Sequence, residues 1–134
     1  MAKKSYQRYA EVPIDPNGGT IKIGLEFPDT DLVCTYTLNV REKGSNTPIS
    51  GFPREGDNTN TEDDEYPLPM PSEVNIGRRG IANITILDQT GDGGYYQVDM
   101  VVMQDGEEKG RASTGKTKMK DNVVTEMLMV KLRK

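Results

Sequence analysis

Tryptophan and histidine are absent from this chain, and cysteine occurs once, as Cys34. Without histidine the commonest general base and metal ligand is missing, and so is every histidine-based triad. A single cysteine excludes an intrachain disulfide and any zinc site built from several thiolates. Aromatic residues make up only 6 % of the chain, which leaves little from which to build a sugar-stacking surface. No apolar run is long enough to span a bilayer as a helix. No apolar segment follows Met1-Ala2-Lys3-Lys4-Ser5, so the N-terminus reads as free of a secretory signal. That reading implies synthesis and folding in the cytoplasm, and a virion component fits it too.

What is present suits one domain, residues 1–134, large enough to bury a core without metal or disulfide support. The net charge of −4 argues against nucleic acid as the main partner. The charge is also unevenly spread. Residues 54–65 carry Glu55, Asp57, Glu62, Asp63, Asp64 and Glu65 against Arg54 alone. Residues 106–134 carry eight Lys or Arg against four Asp or Glu. A solvated loop and a solvated edge strand would produce this asymmetry. So would an acidic arm that meets the basic tail of a neighbouring copy.

Period-2 alternation dominates the chain. Ile21, Ile23, Leu25 and Phe27 alternate with Lys22, Gly24 and Glu26, and Leu32 to Val40 continue in the same way. Strands are also expected from Tyr6 to Ile14, Ile81 to Leu87, Tyr95 to Gln104, Glu107 to Lys118 and Val123 to Leu132. Asp105-Gly106 marks a hairpin turn. Residues 44–72 break the alternation and end in Pro67-Leu68-Pro69-Met70-Pro71, a spacing that forbids a central strand. They read as a long inserted loop or arm. Seven or eight short strands separated by turns predict an all-β, antiparallel sandwich.

The segment Ile84 to Val98 resembles the E–F region of immunoglobulin-like domains. The pattern there, D-x-G-x-Y-x-C, is matched by Asp92, Gly94 and Tyr96, with Val98 in place of the cysteine. The run on to Asp105-Gly106 is similar to the F–G hairpin of fibronectin type III modules. The resemblance implies an immunoglobulin-like sandwich. In it, Tyr96 would act as a tyrosine corner, its hydroxyl tying the corner to backbone a few residues upstream. The missing second cysteine and strand-C tryptophan exclude antibody-type domains.

Gly110-Arg111-Ala112-Ser113-Thr114-Gly115-Lys116-Thr117 fits the P-loop pattern at every fixed position. Its surroundings do not. Three charged residues precede Gly110, no apolar helix face follows Thr117, and the remaining chain is too short for further β-α units. Asp88, Thr90, Asp92, Gly93 and Asp99 imitate the spacing of an EF-hand loop, but they are flanked by strands. Asn83-Ile84-Thr85 matches a glycosylation sequon, which needs a secretory context.

More telling are two strands that are apolar on both faces. Val101 and Met103 oppose Tyr96, Val98, Met100 and Val102, and Met127 and Met129 oppose Val124, Leu128, Val130 and Leu132. A sandwich strand with one face in water should not be so. The segment 44–72 could cover this second face, or a partner could.

The expectation is therefore a non-enzymatic structural or interaction module with no catalytic residue, metal or cofactor. It would be a subunit or decoration protein of a larger homo-oligomeric or virion-type assembly. Its interface would be Val101, Met103, Met127 and Met129 with the acidic Glu62, Asp63, Asp64 and Glu65. The alternative is a carbohydrate- or receptor-binding sandwich using Tyr6, Tyr9, Phe52 and Tyr66. A P-loop nucleotide enzyme ranks last.

Overall fold

Alternation decides where the strands fall. In Val33–Arg41 the buried Cys34, Tyr36, Leu38 and Val40 occupy every second position. In Ile21–Glu26, Ile21, Ile23 and Leu25 do the same. The computed structural model describes residues 7–28, 30, 32–59 and 64–134. Among these, in chain order, run β1 (Tyr9–Pro13), β2 (Ile21–Glu26), β3 (Val33–Arg41), β4 (Arg54–Asp57), β5 (Asp64–Pro67) and β6 (Arg79–Leu87). They are followed by β7 (Tyr95–Tyr96), β8 (Asp99–Gln104), β9 (Glu107–Ser113), β10 (Thr117–Lys118) and β11 (Val123–Arg133).

The strands form a β-rich, sandwich-like fold. Sheet I has five strands in the order β1-β11-β6-β3-β4, and sheet II has four in the order β5-β2-β8-β9. The two-residue strands β7 and β10 pair with each other. Between the sheets lies one apolar core, with Leu38, Ile84, Ile86 and Leu128 from sheet I and Ile21, Ile23, Met100 and Val102 from sheet II.

Sheet I is mixed rather than wholly antiparallel, because β1 runs parallel to β11. The first strand joins the edge of the last instead of forming a hairpin with the second. Gln7, just before β1, also accepts the Ser113 amide from the end of β9 at 2.8 Å, so this segment ties the two sheets along one seam. That closeness explains Gly110. A Cβ there would meet Val12 Cγ2 at 2.9 Å.

The described parts of residues 44–72 pack on the two sheets. Short strands lie on the outer edges of both sheets, β4 on sheet I and β5 on sheet II. A single 3-10 turn, Ser72–Asn75, follows. Ile49 and Leu68 anchor the segment in the core, at 4 % and 3 % exposure. Pro67 ends an edge strand, where its missing N–H costs no ladder bond. The hairpin at Asp105-Gly106 forms as the sequence predicts, with φ of 55° and 76° at the two turn residues.

Candidate functional site

Registered pairing turns the outer face of sheet I into cross-strand rows. One row holds Met127, Asn83, Thr37 and Glu55. The next holds Thr125, Thr85, Thr35 and Asp57. On the other side of the Met127 row come Tyr9, Met129, Ile81 and Asn39, then Glu11, Lys131, Arg79 and Arg41. Met127 is 54 % exposed and Tyr9 45 % exposed. Met127 and Tyr9 are thus open to solvent beside a half-buried Met129, while Ile81 is buried at 4 % exposure. On the same face, a shallow cavity of about 510 Å³ is lined by Thr35, Thr37, Glu55, Asp57, Asn83 and Thr85.

Val101 and Met103 are not part of that surface. They lie on β8 in sheet II, so they face the opposite side of the molecule from Met127 and Met129. Val101 is only 4 % exposed, set between Gly24 on β2 and Arg111 on β9. Two strands that are apolar on both faces look like one patch only when their sheet membership is unknown. Of the acidic run, Glu62 and Asp63 lie outside the described residues. Asp64 and Glu65 are on β5, where Glu65 is 4.0 Å from Lys22.

On sheet II, Arg111 gathers carboxylates. Its Nη1 donates to Asp99 Oδ2 at 2.6 Å, its Nε to Glu108 at 3.0 Å, and Glu26 lies 3.5 Å from Nη1. These contacts, those with Glu108 foremost, raise the guanidinium pKa beyond its already high ordinary value. Asp99 is 1 % exposed and also accepts from Ser113 Oγ and Gln97 Nε2.

The corner segment is organised by Asp88. Its Oδ1 accepts from the Gly91 amide at 3.1 Å and from the Thr90 hydroxyl, and its Oδ2 accepts from the Gly93 amide at 2.7 Å. Burial pushes the Asp88 carboxyl upward, but these donors outweigh it and hold the group below its ordinary value. Asp92 is exposed, and Gly94 takes a φ of 133°. Tyr96 is buried, but its hydroxyl donates to the Glu126 side chain on β11 instead of tying back to nearby backbone. The corner is thus fastened to sheet I. Among the described residues, no group of three or more His, Cys, Asp or Glu could hold a metal ion.

The P-loop-like string is a strand and a bend. Gly110 to Ser113 complete β9, Thr114 accepts the Val98 amide, and Lys116 sits 5.0 Å over the Tyr95 ring. Thr117 opens β10, not a helix. Cys34 is fully buried, and burial pushes its thiol up to about 12.

Glu126 was not singled out by sequence, although it breaks the inward apolar series Val124, Leu128, Val130. Arg8 grips it with two bonds, at 2.8 and 3.1 Å. Burial raises the Glu126 pKa, but Arg8 and Tyr96 together bring it below the ordinary carboxylate value. A depressed folded-state pKa stabilises above the unfolded value, and that contribution disappears as pH falls through the folded one. Wild type is therefore expected to lose urea resistance between pH 5 and pH 3 more steeply than Glu126→Gln. Parallel acid limbs for the two proteins would contradict this.

Comparison with protein-family models, curated proteins and solved structures gives no match to this chain.

Proposed function

We propose that this chain is a non-enzymatic interaction module, a subunit or decoration protein of a larger homo-oligomeric or virion-type assembly. The observation that carries the reading is the pair of exposed apolar side chains on sheet I, Met127 at 54 % and Tyr9 at 45 %, beside the half-buried Met129. A contiguous apolar patch outside the core fits an interaction surface, and methionine suits adaptable contacts. Its partners would be copies of itself or assembly neighbours, and not nucleic acid, given the net charge of −4. Cytoplasmic synthesis and a place in a virion accord with this reading. The immunoglobulin-like resemblance rests on residues 84–106.

The carbohydrate-binding alternative has less support. Tyr9 stands on the outer face of sheet I, whereas Phe52 and Tyr66 pack edge-on against each other beside the core. Tyr6 lies outside the described residues, and Tyr9, Phe52 and Tyr66 do not share one stacking platform.

Size-exclusion chromatography with light scattering tests the assembly. Wild type is expected to elute as an oligomer, and Met127→Asp with Met129→Asp as a monomer with an unchanged circular dichroism spectrum. A wild type that is monomeric across the concentration range would remove the reading.

A further inference from the structure

Three cations stand side by side on the outer face of sheet I. Lys131 on β11 is opposite Arg79 on β6, and Arg79 is opposite Arg41 on β3. Like charges placed directly opposite on neighbouring strands destabilise a sheet. A carboxylate partner would offset the repulsion, yet among the described residues none of the three forms an ion pair. Glu11, next in the row on β1, is in register with Lys131 but does not pair with it.

The two guanidinium groups are instead held by neutral acceptors. Arg41 Nη1 donates to Asn46 Oδ1 at 3.4 Å, and Arg79 Nη2 donates to the Ser45 carbonyl at 3.1 Å. Such bonds orient a guanidinium without neutralising it. Arg41 Nε is buried with no acceptor, as is Asn39 Oδ1 in the adjoining row with no donor.

We propose that Lys131, Arg79 and Arg41 are the docking site for the acidic β4 edge, Glu55 foremost, of a second copy of this chain. The argument is one of charge complementarity. β4 carries Glu55 and Asp57 against Arg54, and Glu55 is exposed on this edge strand. Two of the three cations are arginines, whose planar fork matches a carboxylate. A polyphosphate partner would be repelled by the rest of a chain whose net charge is −4.

The basic row is also continuous with the apolar one, since Lys131 and Arg79 lie two residues from Met129 and Ile81. Ion pairs would therefore rim the apolar contact. The row and the β4 edge share one face of sheet I, so a two-fold pairing of copies sets each row against the other copy's β4 edge. The inference rests on the assembly reading above and adds to it the partner surface and the polarity of the contact.

The test is a charge swap on the full chain, read by light scattering against protein concentration. Lys131→Glu and Glu55→Lys are each expected to weaken association about tenfold. The doubly substituted chain regains it, and high salt weakens the wild-type assembly. Lys131→Gln keeps the aliphatic stem and shows a smaller loss in the same direction, with circular dichroism confirming the fold. Oligomers that dissociate with Met127→Asp but tolerate both charge reversals would overturn the docking site and leave the assembly standing. A monomeric wild type would overturn both.

Discussion

Gln104→Ala is expected to lower stability by about 3 kcal/mol and the unfolding midpoint by about 10 °C. Gln104 is fully buried at an inward position of β8, where alternation calls for an apolar residue. Its amide does the work of a short strand. Oε1 accepts the Asp15 amide at 2.8 Å, while Nε2 donates to the carbonyls of Asp15 at 2.8 Å and Gly19 at 3.1 Å. Gln104 thus fastens the turn between β1 and β2 to β8, beside the bonds that Asp105 and Ser72 make to Gly19. Alanine leaves a cavity and strips the Asp15 amide of its acceptor, while the Asp15 and Gly19 carbonyls keep the Gly18 amide and the Ser72 hydroxyl. Leucine restores the volume but not the bonds, so Gln104→Leu should fall near Gln104→Ala. Gln104→Glu keeps an acceptor for the Asp15 amide but faces two carbonyls with a carboxylate, so it should recover stability as pH falls and the group becomes a donor. Thermal unfolding followed by circular dichroism decides the matter. An alanine variant within about 2 °C of wild type, well inside one kcal/mol on the usual scaling, would show that the amide is dispensable.

The second large effect is expected at Arg111. Arg111→Met keeps the stem over Val101 but removes the cation shared by Asp99, Glu108 and Glu26. Asp99 would be left 99 % buried beside two other carboxylates, going by its 1 % exposure in the intact protein. Breaking a buried pair from one side costs about 3–5 kcal/mol. Because the Arg111 side chain is 35 % exposed, solvent screening brings the expected loss down to about 2–3 kcal/mol. The double variant Asp99→Asn with Arg111→Met should recover most of that loss, because it removes the stranded charge together with its partner. Urea denaturation of both single variants and the double gives the coupling directly. Additive losses would mean that the two groups do not act as a pair.

The strands were legible wherever one face meets the core and the other meets water. β2 and β3 fall where their alternation places them, and the Asp105-Gly106 turn forms between β8 and β9. The strand expected from Tyr95 to Gln104 is divided into β7 and β8. Val98 donates to the Thr114 hydroxyl there, outside any ladder. Within residues 44–72, β4 and β5 were not legible because they are four residues each, edge-bound and polar, too short to show a period. Glu126 and Gln104 were visible as polar breaks in inward apolar series. Their partners, Arg8 and Tyr96 for one and Asp15 and Gly19 for the other, lie at separations no local pattern reaches.

The candidate surface divides in the same way. That β8 and β11 are apolar on both faces could be read directly from their residues. That Val101 and Met127 look to opposite sides of the molecule could not. Parity within a strand is a local property, set by the backbone pleat, and from it the sequence by itself determined the all-β class and the inward side chains. Composition did the rest at that level, since a chain without histidine and with one cysteine cannot build several common sites. Only the tertiary structure decided which sheet each strand joins and that β1 runs parallel to β11. It also decided that Lys131, Arg79 and Arg41 form one row. Those outcomes depend on pairing between strands far apart in the chain, where burial of the shared core outweighs any local preference.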